Sequence, residues 1–212
     1  MTTDAAGESV ARPRPALWEL LFRPFGYIAG VQSLALGLAA ILAAGFLGRL
    51  SYTHFDGVLD MHTGRPAPLL AFLCEGLVDW LALSIALFAL GRLVSRAAFR
   101  PLDLFGTQAL ARWPTILATL AALAPPYQRL TASISAQLLQ PGALAPERTD
   151  AILGGLLLFA AVLAIVWMVA LMYHSYSLCC NLRGPRGALT FIAALAISEI
   201  ASKIIILRLL FS

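Results

Sequence analysis

Two groups of residues combine side-chain types and spacings that chemistry can use. The first is His54, Asp56, Asp60 and His62, gathered in one short polar segment. Imidazole and carboxylate donors together suit zinc or another transition ion. Their spacing matches no established metal motif, and Gly57 with its polar neighbours fits a solvated turn equally well. The second group lies inside apolar runs: Glu75, Asp79, Glu199 and Lys203, with Ser198 and Ser202 beside them. Ionisable groups in such runs are costly and mark either a proton or ion relay or a buried polar clasp between helices. A relay needs more such groups along a path, so the clasp is the preferred reading. With three acids and one base, at least one of these carboxyls is expected to be protonated at neutral pH.

Other candidates carry less. Arg92, Arg96 and Arg100 recur every fourth position and fit anionic lipid headgroups, at about 1 kcal/mol each, or ordinary anchoring. Adjacent Cys179 and Cys180 with His174 make a poor chelate, since small buried cysteines are ordinary. The sequence has no phosphate loop, nucleophile elbow or zinc-protease motif. No enzymatic activity and no cofactor are therefore expected.

The elements that position these residues follow from composition. Of 212 residues, 60% are hydrophobic and only 12% charged, and the mean hydropathy is +0.83. Soluble domains hold roughly 45–50% apolar residues, so this is a polytopic membrane protein, and its long apolar runs make an all-α fold the expectation. The net charge of +4 bears on topology rather than on nucleic acid, and no nucleic-acid partner is expected. Three cysteines in or beside apolar runs make no disulfide framework.

In chain order, 1–16 reads as a disordered polar tail and 17–212 as one membrane domain. Trp18 to Phe25 mixes aromatic and charged residues and predicts a short interfacial helix, or an extension of the first span beyond Pro24. Five transmembrane helices are expected, over about 27–47, 69–94, 107–123, 151–176 and 187–210. The third is the weakest, because Arg112 must lie at the interface or face protein. Leu130, Ile134 and Leu138 recur at helical spacing and predict a short surface helix. Asn181 to Gly187 supplies the turn chemistry for a tight connection.

Placing the N-terminus inside puts nine arginines in inner segments and five in outer ones. The positive-inside rule then sets the N-terminus in the cytoplasm and the C-terminus outside. At about 1.5 Å per residue, Glu75 and Lys203 each lie roughly 10 Å deep, and Asp79 and Glu199 roughly 16 Å. The levels match, so Lys203 is expected to meet Glu75, and Asp79 to meet Glu199, if the second and fifth spans are neighbours. Ser198, Glu199, Ser202 and Lys203 share one helical face with Ala194 and Thr190, a small-residue surface for close packing.

Several stretches together resemble the Ypt/Rab-interacting protein (YIP) family in its bacterial branch. They are Leu20-Leu21-Phe22-Arg23-Pro24-Phe25, Gly106-Thr107-Gln108-Ala109-Leu110-Ala111-Arg112-Trp113-Pro114, Trp167, Asn181-Leu182-Arg183-Gly184 and Ser198-Glu199-Ile200-Ala201-Ser202-Lys203. The resemblance spans roughly Trp18 to Leu210. It implies a five-span, non-enzymatic protein that organises or scaffolds membrane lipids and membrane or peripheral partner proteins, open to homo-oligomerisation. The Ala, Leu and Arg bias suits a bacterial cytoplasmic (inner) membrane. The eukaryotic members' contacts with small GTPases do not carry over, because their longer N-terminal domain has no counterpart before Trp18. The alternative is a small proton- or ion-coupled transporter or channel that uses the acid and lysine cluster. An intramembrane enzyme ranks third.

Overall fold

The computed structural model describes residues 16–140 and 145–211. The tail expected over 1–16 lies outside this range except for Ala16. The architecture is all-α, apart from a two-residue ribbon. Helix α1 (Leu17–Phe22) is short and leaves Leu17, Trp18 and Phe22 exposed. Four helices are long and apolar enough to cross a bilayer: α2 (Gly30–Ser51), α3 (Leu69–Val94), α7 (Arg148–Cys179) and α8 (Gly184–Phe211). Between 22% and 33% of each one's most apolar window is buried within the protein. The remaining apolar faces require lipid, which makes this an integral membrane protein.

The expected third span is two helices. Helix α4 (Pro101–Leu110) and α5 (Thr115–Ala122) are joined through a tight turn at residues 111–114. Pro114 has no N–H to continue the α pattern. The backbone tightens to three-residue bonds instead: Arg112 to Ala109 at 3.1 Å, Trp113 to Leu110 at 3.1 Å and Thr115 to Arg112 at 3.0 Å. Each piece alone is too short to cross a membrane. Both nevertheless pack along α2. At one end Gly106 abuts Ser33 and Gly30, and at the other Ala118 and Ala122 pack near Met61.

Close approach of α2 and α4 depends on Gly37, where a Cβ would fall inside the Ala109–Leu110 backbone. Helix α6 (Pro125–Leu139) starts at the proline pair, where a missing N–H costs nothing. It buries Leu130 but exposes Ile134 and Leu138. It is tied to α7 by a bidentate pair, Arg129 to Asp150 at 2.6 and 2.7 Å.

The connections separate the two ends of the bundle. Ser95 donates to the Cys180 carbonyl at 2.6 Å, and the Phe25 and His174 rings lie 5.9 Å apart. The N-terminal segment and the ends of α3 and α7 thus share one end. Asn181 adopts φ 50° and Gly184 φ 66°, giving the tight turn that the sequence predicts. At the other end α2 finishes, α3 begins, and the second half of α8 meets the segment between them. The core runs between: Leu83 and Leu87 of α3, Leu104 of α4, and Met168, Met172 and Tyr176 of α7 are all within 1% of full burial.

Candidate functional site

The polar residues converge where the 52–68 segment caps α3 and α8. Tyr52, in the left-handed region at φ 53°, turns the chain out of α2. Thr53–His54 (β1) then pairs antiparallel with His62–Thr63 (β2), with His54 opposite His62. A ribbon this short is not stable alone. Two carboxylates from the helices below hold it. Glu75 of α3, 2% exposed, accepts from His54 Nδ1 at 2.8 Å and from the Phe55 amide at 3.1 Å. Glu199 of α8 accepts from the Leu59 amide at 2.9 Å and from Lys203 at 3.2 Å. Lys203 also donates to Asp60 at 2.7 Å.

Such charge-assisted bonds are about twice as strong as neutral ones. Phe55 and Val58 plug the space beneath, both buried. Gly57 is required in the crossing, because a Cβ there would overlap the Glu199 carboxylate and approach Lys203 Cε to 2.8 Å. A cavity of about 480 Å³ opens beside this cap, lined in part by His54, Asp56, His62, Arg65 and Glu75.

The expected pairing across the second and fifth spans is corrected. Helices α3 and α8 do pack along each other, through a stripe in which Ala194, Ser198 and Ser202 are at most 1% exposed. However, Lys203 is not within ion-pair distance of Glu75 or Asp79; its carboxylate partners are Asp60 and Glu199. The loop competes for the same groups, because its backbone N–H donors need acceptors at that depth. Asp79 is fully buried and makes no well-formed hydrogen bond, with Ser202 and Arg112 the polar groups that face it. Its expected partner Glu199 is engaged by Leu59 and Lys203. Ser198 and Ser202 donate to their own helix backbone, at Leu195 and Glu199.

Two members of the cluster are missing from the sequence reading. Arg112, at the break between α4 and α5, is 3% exposed, has an unpartnered Nη2, and lies within electrostatic reach of Asp79 and Glu199. His54 is the other. Its Nε2 lies 2.9 Å from the Arg65 carbonyl, so that with Glu75 both ring nitrogens face acceptors. The bond to Glu75 raises its pKa, against the opposing effect of burial. These two groups supply positive charge that the count of three acids against Lys203 leaves out. A lone arginine in a weak span, two residues before proline, was the available signal for Arg112. A second buried network joins α4 to α7: Gln108 donates to the Met172 carbonyl at 2.9 Å and to Ser175 at 3.1 Å, and Thr107 meets Ser175 at 2.7 Å.

Of the four candidate metal ligands, three come together. Asp56, Asp60 and His62 place one donor atom each within 4.8 Å of the others. His54 is excluded, because both of its nitrogens are engaged elsewhere. Arg92, Arg96 and Arg100 are exposed, but α3 ends at Val94, so only Arg92 belongs to the helix. Its guanidinium lies over Phe88 and Phe99, at 5.8 and 5.9 Å from the ring centroids. His174 and Cys179–Cys180 do not form a ligand group; Cys179 lies 3.5 Å from Thr107, and Cys180 is buried.

Fold and site together define an all-α integral membrane protein with a polar cap latched into its helices. No family model, characterised protein or solved structure matches the chain.

Proposed function

We propose that the protein is a non-enzymatic membrane scaffold of the YIP type, which organises lipids and partner proteins in a bacterial cytoplasmic membrane. The observation that carries this reading is the latch. Glu75 and Glu199, the acids nearest the capped end, accept backbone N–H groups of the 53–63 segment. Both are engaged as structural acceptors, and Glu75, which also lines the 480 Å³ cavity beside the cap, is 2% exposed. The broad lipid-facing surface of the four long helices fits the same role.

In this reading α4 and α5 together make a fifth, broken crossing. Their contacts run from the start of α2 to the cap, which supports it. The N-terminus then lies in the cytoplasm and the cap outside, consistent with the arginine distribution. The transport reading keeps one specific observation in its favour: Arg112 at a helix break beside buried Asp79. Broken helices and intramembrane charges mark the sites of many transporters.

Reconstitution separates the two readings. Proteoliposomes holding a pH-sensitive dye, under imposed proton, sodium or potassium gradients, should leak no faster than protein-free vesicles. Capture from native membranes with lipids retained should recover partner proteins in fixed proportion. A flux that falls in the Asp79→Asn protein would overturn the scaffold reading.

A further inference from the structure

We propose that Asp56, Asp60 and His62 form a zinc(II) site on the cap, which ties the 55–61 loop back onto its own ribbon. The donor atoms carry the argument. His62 Nδ1 lies 3.5 Å from Asp56 Oδ1 and 3.9 Å from Asp60 Oδ1, and all three lie within 4.8 Å of one another. Zinc bonds of about 2.0–2.2 Å in tetrahedral geometry separate donor atoms by roughly 3.3–3.6 Å. One pair already meets that spacing, and the others reach it by small rotations of half-exposed carboxylates.

A second observation points the same way. Asp56 Oδ1 is shielded from solvent yet has no hydrogen-bond partner. The Asp56 side chain as a whole is 38% exposed, but this oxygen faces His62 Nδ1 at 3.5 Å, and a cation between the two would partner both.

The surroundings suit the ion. Lys203 takes Asp60 through Oδ2 at 2.7 Å, which leaves Oδ1 on the His62 side. Outer contacts of this kind orient metal ligands. The His54 ring stacks on His62 at 5.7 Å and is itself fixed by Glu75 and Arg65, so His62 has a rigid backing. Two carboxylates neutralise a divalent cation. One imidazole favours zinc over magnesium or calcium, which take oxygen ligands. Side chains 38–46% exposed give the ion a path from water. Asp56 and His62 also line the 480 Å³ cavity, from which water can reach the ion.

The test uses the full chain, purified in detergent without a histidine tag and stripped with a chelator. Calorimetric titration with zinc chloride should give one saturable site per chain. Asp56→Asn and His62→Gln should each weaken it at least tenfold, and millimolar magnesium should not compete. His174→Gln, at the other end of the bundle, should leave it unchanged. Cobalt(II) added to the unaltered protein supplies a readout that needs no variant to fold: a visible d–d band of four- or five-coordinate character, removed by equimolar zinc. The proposal is overturned if zinc does not saturate, if binding survives both substitutions, if magnesium competes equally, or if cobalt gives only its aqueous spectrum.

Discussion

Glu75 is the group whose removal should cost the fold most. It is 2% exposed and accepts two bonds, from His54 at 2.8 Å and from the Phe55 amide at 3.1 Å. Hydrogen bonds to a charged group contribute about 1.5–3 kcal/mol each, and a buried pair broken on one side costs about 3–5 kcal/mol. Glu75→Ala should therefore destabilise by about 3–5 kcal/mol. His54→Ala should cost less, because Glu75 keeps the Phe55 amide. The double substitution should cost about 1–3 kcal/mol less than the sum, since each single change leaves the other partner stranded. The assay is equilibrium unfolding in mixed micelles of mild detergent and SDS, followed by tryptophan fluorescence, for the four proteins of the cycle. Additivity within about 0.5 kcal/mol would refute the latch. Lys203 offers the contrast. It is 41% exposed, and ion pairs so open to water contribute about 0–1 kcal/mol. Lys203→Met should therefore cost much less than Glu75→Ala, whereas a pairing of Lys203 with Glu75 inside the membrane would have made the two comparable.

Three further outcomes follow from close packing and topology. Gly37→Leu should separate α2 from α4 and cost at least about 3 kcal/mol by thermal unfolding in detergent, at the upper end of overpacking effects; wild-type stability would deny that contact. Gly57→Ala should displace the Glu199 carboxylate, seen as faster hydrogen exchange at the Leu59 amide with the Phe55 amide unchanged. A reporter fused after Ser212 should read extracytoplasmic and one between Arg96 and Arg100 cytoplasmic; the same side for both would remove α4–α5 as a crossing.

The long helices were legible because charge-free apolar runs leave little choice. The apolar run that predicts the second span covers about 69–94, the bounds of α3. Depth arithmetic and the small face of Ala194, Ser198 and Ser202 made the adjacency of α3 and α8 a condition of the expected pairings; the helices are neighbours, but those pairings do not form. What could not be read was which partner each polar group takes. Depth along a helix says nothing of a loop that folds back over it, and Leu59 and Phe55 compete through backbone donors that carry no side-chain signal. For Arg112 the sequence leaves the interface and a protein-facing position open, and its place beside the acid cluster depends on a break that only Pro114 hints at. The metal candidates were half legible. Spacing brings four ligands into one segment, and the register sets His54 beside His62, but only the contacts of its two nitrogens with Glu75 and Arg65 take His54 out of the set.

A latched scaffold and a transporter differ in whether water reaches Asp79, the fully buried acid of the cluster. In a background with Cys74, Cys179 and Cys180 replaced by serine or alanine, a cysteine substituted for Asp79 is exposed to a membrane-impermeant thiol reagent in native membranes. Arg96→Cys, at an exposed loop position, serves as the reactive control in inverted vesicles. No labelling of Asp79→Cys is expected from either side over the time in which the control is complete, because the wild-type position is fully buried. Labelling from either side at a rate near the control's would reveal a water path to the cluster. It would contradict the latched scaffold in favour of transport.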